Sequence, residues 1–153
     1  MESRTKRHLK GAGQRNDMAK VLVVDDEKSV RMALRKTLER DAHEVLEAED
    51  GDVALSRLAD TMVDVVITDI LMPGREGIET IQEIRETYGR LPRIIAISGG
   101  GQTGKADFLD FTEQFGANRV LEKPISRDQA MRAVREEVEI AQSARESGQR
   151  RGR

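Results

Sequence analysis

Short apolar runs alternate with longer amphipathic stretches from Lys20 onward. Five of the runs are predicted to be β-strands. The first, third and fourth are continuous runs of β-branched residues or leucine, typical of central strands that are covered on both faces. The second and fifth are more polar or shorter, which favours the edges of a sheet. The five predicted strands are residues 20–24, 44–48, 64–68, 93–97 and 119–121.

Between and after these strands, apolar residues recur at helical spacing, which predicts five helices and therefore five βα units. The stripes are Val30, Ala33, Leu34, Thr37 and Leu38; Ala54, Leu55, Leu58 and Ala59; Ile78, Ile81, Ile84 or Arg85, and Tyr88; Phe108, Phe111 and Phe115; and Met131, Val134, Val138 and Ala141. Residues 18–144 are thus predicted to form one doubly wound α/β domain. Residues 1–17 are interpreted as a disordered basic arm and residues 145–153 as a flexible tail.

Two strand orders are common for a five-stranded parallel sheet with right-handed crossovers. In the flavodoxin-like order 2-1-3-4-5, a ligand crevice opens beyond the carboxyl ends of strands 1 and 3. Asp25 and Asp26 follow strand 1 and Asp69 follows strand 3, so we expect this order, with three carboxylates facing one another. Their repulsion favours a hard divalent cation with oxygen ligands, most simply Mg²⁺, with Mn²⁺ as an alternative.

Groups suited to phosphate follow the other two strands at the same edge. Ser98, ahead of Gly99, ends strand 4, and Lys123 follows strand 5. A hydroxyl, an unhindered backbone N–H and an ammonium can together hold a phosphoryl group. An ionised Asp69 can attack phosphorus without a general base and form an aspartyl phosphate. Each residue alone has an ordinary structural explanation, so the prediction depends on their convergence at one edge.

These motifs resemble the receiver domains of two-component response regulators. The resemblance spans roughly residues 19–144 and is carried by VLVVDDE, VVITDILMPG, AIS and EKP, in this order along the βα units. It implies that Asp69 is the phosphoacceptor, that Ser98 moves toward the phosphoryl group and that Lys123 pairs with it. It further implies that Asp26 binds Mg²⁺ directly, that Asp25 binds it through water and that the backbone carbonyl of Leu71 is a further metal ligand. The backbones of Leu71 and Gly99 would contact the phosphoryl group. The peptide bond before Pro124 would be cis.

Val120 departs from the family's pattern. Receiver domains commonly carry Phe or Tyr three residues before the lysine, and that ring turns inward during signalling. An isopropyl group lacks this switch, so we expect the signal to use a different movement. Pro124 is followed by one predicted helix and the tail, which is too short for an effector domain. Output is therefore expected through contact with a downstream protein, on the face of the fourth helix, fifth strand and fifth helix. The alternative is that signalling stops at Asp69, with the chain acting as a phosphate relay or sink.

The resemblance also implies a partner that donates the phosphoryl group, either a sensor histidine kinase or a phosphotransfer protein, docking on the first helix. A homodimer that depends on phosphorylation is left open. The 153 residues suit one domain, and 26 basic against 28 acidic residues give no basic field for nucleic acid. Without cysteine, disulfides and thiolate chemistry are excluded. No apolar run is long enough to cross a bilayer, so we expect a soluble, cytoplasmic protein without membrane contact.

Two other functions are compatible with the same residues. An Asp-dependent, Mg²⁺-dependent phosphohydrolase of the haloacid-dehalogenase kind would share the crevice, although its nucleophile follows strand 1 and its second Asp lies two residues on. Here the two acids are adjacent and residue 27 is Glu. A pseudo-receiver that only binds partners is the second alternative, but its site would lack an acid or the lysine. A flavodoxin-type mononucleotide binder is disfavoured, because its first loop should be rich in Ser, Thr and Gly.

Overall fold

A computed structural model of the chain describes residues 18–70, 77–99 and 114–151. Strands and helices alternate along these residues. The strands are β1 Lys20–Val24, β2 Glu44–Ala48, β3 Val65–Asp69, β4 Arg93–Ser98 and β5 Arg119–Glu122. The helices are α1 Lys28–Arg40, α2 Gly51–Asp60, α3 Gly77–Tyr88 and a long C-terminal helix, Arg127–Arg151.

The five strands are parallel and lie in the order β2-β1-β3-β4-β5, which confirms the predicted doubly wound sheet. Side chains alternate between the two faces of the sheet. On one face, Leu22 and Val66 pack with α2 and α3 residues such as Leu58 and Ile84. The opposite face carries a second core, which includes residues of α1 and the C-terminal helix. With both faces covered, the carboxyl ends of the strands are left as the natural position for a site.

The predicted strands agree with the observed ones to within one residue at each end. The predicted tail is corrected, because the C-terminal helix continues past Ala144 to Arg151. Arg145 lies in this helix and donates to the carbonyl of Val63 at 3.2 Å and to the carboxylate of Asp64. Good helix formers in this segment, together with that anchor, outweigh the single Gly148. The arm 1–17, Phe108 and Phe111 lie outside the described residues.

Partly buried ion pairs connect the amino ends of the strands to the C-terminal helix. Glu137 is almost fully buried and accepts from Arg93 of β4 at 2.7 Å and from Arg119 of β5 at 3.1 Å. Asp64 accepts from the backbone N–H of Lys20 at 2.9 Å, besides its pair with Arg145. These contacts lie at the end of the sheet opposite the carboxyl ends of the strands. No helix among the described residues has the length and hydropathy that a membrane span requires.

His43 directly precedes β2, a position typical of a surface residue, but its side chain is buried. Its side chain is 5% exposed, and Nδ1 accepts a hydrogen bond of 3.2 Å from the backbone N–H of Ala19. Nε2 therefore carries the proton of the neutral ring, and it lies 3.5 Å from Oδ2 of Asp41. Residue 43 is buried because the chain entering β1 packs over it, a long-range contact that local sequence does not reveal.

Unfolding should become easier in mild acid because of His43. Burial lowers the pKa of its imidazole below the ordinary value of 6.5, and the positive charge of Arg135 lowers it further. The negative charges of Asp41 and Asp64 raise the pKa but do not outweigh burial. The unfolded chain binds this proton more readily, so the stabilisation is complete above about pH 6.5 and is lost as the pH falls through the lowered pKa. We therefore expect the free energy of unfolding, measured with urea, to fall between pH 7.5 and pH 5.

The matched variant for this prediction is His43→Gln, which cannot titrate in that range. Its free energy of unfolding should be lower than that of the wild type at pH 7.5, and the difference between the two proteins should shrink as the pH falls to 5. A constant difference across the range would contradict the assignment of a neutral, buried His43.

Candidate functional site

Three charged side chains converge at the carboxyl ends of the strands. Asp25 follows β1, Asp69 ends β3 and Lys123 follows β5. The ammonium nitrogen of Lys123 lies 3.2 Å from Oδ2 of Asp69 and 3.6 Å from Oδ2 of Asp25. One amine therefore bridges carboxylates from two neighbouring strands. This is the edge where the sequence predicted the site.

One carboxylate oxygen of Asp25 faces this cluster, and the other accepts a hydrogen bond from the backbone. Its side chain is 1% exposed, and Oδ1 accepts a hydrogen bond of 2.8 Å from the N–H of Glu27. Oδ2 is buried and has no hydrogen-bond partner among the described residues. Burial raises the pKa of Asp25, and the negative charges of Asp69 and Asp26 act in the same direction, against the N–H of Glu27 and the ammonium of Lys123. A buried carboxylate oxygen without a donor is suited to bind a cation.

Lys123 is fixed by a backbone hydrogen bond and by the ion pairs of its ammonium group. Its N–H donates to the carbonyl of Ser98 at 2.8 Å, which continues the pairing of β4 with β5 past the end of the strand. Burial opposes the charge of the ammonium, but the hydrogen bond to Asp69 and the charges of Asp69, Asp25 and Glu27 outweigh burial and raise the pKa of Lys123. The amine is therefore a fixed cation at neutral pH. The peptide bond from Lys123 to Pro124 is cis, as the resemblance implied.

A compact acidic group surrounds the end of β1. Asp25, Asp26 and Glu27 each offer a carboxylate oxygen, and these oxygens lie within 4.8 Å of one another. Asp25 is buried, whereas Asp26 and Glu27 are exposed. The donor set consists of oxygen alone, which suits Mg²⁺ or Mn²⁺. Together with Oδ2 of Asp25, which accepts no hydrogen bond from the described residues, these residues fit a divalent cation. The sequence had not proposed Glu27 as a ligand.

Asp69 is buried at the end of β3, and the backbone around it is fixed by two neighbouring elements. The N–H of Ile70 donates to the carbonyl of Ile97 at 2.9 Å, and the N–H of Gly77 donates to the carbonyl of Ile70 at 3.0 Å. Gly77 begins α3 against this backbone: a Cβ there would lie 2.0 Å from the carbonyl oxygen of Asp69. The role of Gly77 was not predicted, because no local pattern in the sequence signals a close approach between two backbones.

The remaining predicted residues occupy positions around the same edge. Ser98 is buried at the end of β4, and Gly99 follows it at the surface. Val120 is half-buried in β5 and packs against the core shared with α2 and α3. Leu71, predicted to supply backbone contacts, lies outside the described residues.

A groove opens beside the cluster, between α1 and the start of the C-terminal helix. It has a volume of about 1000 Å³, and Lys123 is one of the residues that line it. Apolar residues such as Met32 and Ile125 line it together with the basic residues Lys36 and Arg127. A second protein could therefore approach Lys123 along this face.

The sequence matches the family model described as the response regulator receiver domain over residues 21–135. Curated relatives include the transcriptional regulatory protein CpxR of Klebsiella pneumoniae, 32% identical over 118 residues that cover 77% of this chain and 48% of CpxR. The transcriptional regulatory protein ResD of Bacillus subtilis is 35% identical over 107 residues, which cover 70% of this chain and 42% of ResD. The chain thus spans about half the length of the curated relatives it matches.

Solved structures share the fold. The chemotaxis protein CheY4 of Vibrio cholerae aligns with a TM-score of 0.71 and 29% identity, covering 78% of this chain and 98% of CheY4. NtrX of Brucella abortus aligns with a TM-score of 0.78 and 29% identity, covering 88% of this chain but 30% of NtrX. Neither the phosphohydrolase nor the decayed pseudo-receiver is favoured by these matches, and the acids and the lysine are all present. By its sequence, its strand order and the residues at the edge of its sheet, the chain belongs to the response regulator receiver family, a family of signalling domains.

Proposed function

We propose that the chain accepts a phosphoryl group on Asp69 in a reaction that requires a divalent cation, Mg²⁺ or Mn²⁺. The observation that carries this proposal is the bridge that the amine of Lys123 makes between Asp69 and the buried Asp25. An amine held there can neutralise a phosphoryl oxygen once a phosphate is attached to Asp69. The phosphoryl donor is a phosphohistidine on a sensor histidine kinase or a phosphotransfer protein.

In the transfer, a carboxylate oxygen of Asp69 forms a bond to phosphorus while the bond from phosphorus to the histidine nitrogen breaks. The electron pair of that bond leaves with the imidazole, which takes a proton from solvent. Lys123 moves its hydrogen bond from Asp69 to an oxygen of the phosphoryl group, and the hydroxyl of Ser98 and the backbone N–H groups of Leu71 and Gly99 bind the others. An acyl phosphate on Asp69 results, and its hydrolysis returns the chain to the starting state.

Asp26 and Asp69 would hold the cation directly, with the backbone carbonyl of Leu71, while Asp25 would bind it through a water molecule. When bound, the cation offsets the charge of the carboxylates and of the transferred oxygens. The exposed position of Asp26 leaves room for coordinating water, which Mg²⁺ retains readily. Asp25 contributes a buried oxygen whose geometry is fixed before the cation arrives.

The partners follow from the two faces that adjoin the site. The groove beside α1 leads to Lys123, and its apolar floor suits the docking of the phosphoryl donor. Output is proposed to pass to a downstream protein through the face that contains β5 and Val120, with a homodimer formed on phosphorylation as a second outcome of the same contact. A cytoplasmic location, without membrane or nucleic-acid contact, is part of this proposal.

Acetyl phosphate or phosphoramidate with Mg²⁺ provides a test that needs no kinase. We expect the intact mass to rise by one phosphoryl group, because both reagents present a transferable phosphoryl group to an aspartate nucleophile. Chelation of the metal should prevent the gain, and so should Asp69→Asn. Glu49→Gln, which removes an exposed acid from the same end of the sheet, should be labelled as well as the wild type. Labelling of Asp69→Asn would refute the proposed acceptor.

A further inference from the structure

Arg31 in α1 reaches back over the end of β1. Its Nη1 donates to the backbone carbonyl of Asp25 at 2.7 Å, and its Nε donates to Oε1 of Glu47 in β2 at 3.1 Å. The side chain is 14% exposed, so these bonds are largely shielded from water. The guanidinium therefore connects the second strand to the residue that supplies the buried oxygen of the site.

The carbonyl bound by Arg31 belongs to the peptide unit that joins Asp25 to Asp26. Because a peptide unit is planar, fixing its oxygen also fixes the N–H and the Cα of Asp26, the atom that carries its side chain. The other polar groups of Asp25 are fixed as well: its N–H donates to the carbonyl of Ala48 at 3.1 Å, and its Oδ1 accepts from Glu27. Only Oδ2 of Asp25 is left to face the cluster.

Glu47 holds Arg31 in place. It lies in β2 opposite Val23 of β1 in the register of the two strands. Hydrogen bonds from Arg35 and Arg31 lower the pKa of Glu47 against the effect of its burial, so the anchor is charged at neutral pH. Arg35 binds the other oxygen of Glu47 at 2.7 Å. Its other hydrogen bond goes to Glu39 at 3.1 Å, so among the described residues Arg35 bonds to Glu47 and Glu39 and not to Asp25.

We propose that Arg31 is a positioning residue of the metal site: through its bond to the carbonyl of Asp25, it orients the peptide between Asp25 and Asp26 for cation binding. Arg31 itself does not contact the cation or the phosphoryl group. The inference rests on the function proposed for this site. Arg31 would thus contribute to the affinity for the cation although it does not belong to the acidic group of Asp25, Asp26 and Glu27.

The direction in which Mg²⁺ affinity changes when Arg31 is replaced distinguishes a positioning role from an effect of its positive charge. Arg31 is a cation close to the site, so on electrostatics alone its removal should strengthen Mg²⁺ binding. A loss of orientation has the opposite effect, because residues that orient metal ligands typically contribute about 10–100-fold to affinity. We therefore expect Arg31→Met to weaken Mg²⁺ binding to the full chain by about tenfold, measured by isothermal titration calorimetry.

Arg35→Met is the matched control. Like Arg31→Met, it removes a positive charge from α1 and a hydrogen bond to Glu47. Unlike Arg31→Met, it leaves the bond from Arg31 to the carbonyl of Asp25 intact. Its Mg²⁺ affinity should be equal to that of the wild type or slightly higher. Arg31→Lys keeps a donor of nearly the same reach and should restore part of the affinity. Equal weakening by Arg31→Met and Arg35→Met, or tighter binding by Arg31→Met, would overturn the inference.

A measurement without metal keeps this inference distinct from the function on which it rests. The N–H of Glu27 is protected by Oδ1 of Asp25, so its hydrogen exchange reports how well the turn after β1 is held. Exchange at Glu27 should accelerate several-fold in Arg31→Met and remain unchanged in Arg35→Met. If the wild type failed to bind Mg²⁺, the proposed function would be wrong. Unchanged exchange at Glu27 in Arg31→Met would instead reject the positioning role.

Discussion

Asp25→Asn is expected to weaken Mg²⁺ binding by about 10–100-fold while making the metal-free protein more stable. The loss of affinity follows from the loss of the buried carboxylate charge beside the cation. The gain in stability has a separate cause: burial and the neighbouring acids disfavour the charged form of Asp25, which raises its pKa, and an amide avoids that cost. Calorimetric titration and urea unfolding without metal measure the two effects.

The control for this prediction is Glu49→Gln, which removes a negative charge from an exposed position near the carboxyl end of β2. It should change neither quantity by more than a small amount, because exposed charges are screened by solvent. A metal-free Asp25→Asn protein less stable than the wild type would mean that the ion pair with Lys123 outweighs the cost of burial.

Gly77→Ala is expected to destabilise the protein by about 3 kcal/mol and to slow phosphorylation strongly. The new methyl group would lie 2.0 Å from the carbonyl oxygen of Asp69 and 2.8 Å from the Cα of Ile70. Neither backbone atom can move without shifting the end of β3, which carries the proposed acceptor. Urea unfolding gives the stability, and the rate of mass gain with acetyl phosphate gives the chemistry.

Gly148→Ala makes the matched control because Gly148 lies in the C-terminal helix and a Cβ there would meet nothing within 4 Å. Alanine is the better helix former, so this variant should be slightly more stable than the wild type, with an unchanged rate of phosphorylation. Should Gly77→Ala unfold at the urea concentration of the wild type, the close contact between α3 and Asp69 would be contradicted.

Much of the fold could be predicted because burial leaves a periodic signal. Continuous apolar runs such as the one at Val65 indicated central strands, and the end of β3 at Asp69 followed from the same run. The convergence of Asp25, Asp69 and Lys123 was also predictable, since parallel strands bring their carboxyl ends to one edge. The order of the motifs along the strands therefore predicted that these three side chains meet, without any knowledge of the contacts between them.

The features that escaped prediction all depend on contacts between residues distant in the chain. His43 has the local setting of a surface residue and is buried by the backbone of Ala19. Gly77 is required by the approach of α3 to β3, and Arg31 links two strands through bonds that no spacing reveals. The end of the C-terminal helix was misjudged because Arg145 gains partners from the other side of the fold.

Chemical trapping of the acyl phosphate shows which aspartate carries the phosphoryl group. Borohydride reduces an acyl phosphate on aspartate to homoserine, so peptide sequencing by mass spectrometry after labelling with acetyl phosphate and Mg²⁺ identifies the acceptor. We expect homoserine at position 69 and unmodified aspartate at positions 25 and 26. Homoserine at position 25 or 26, with Asp69 unmodified, would contradict the assignment of Asp69 as the acceptor.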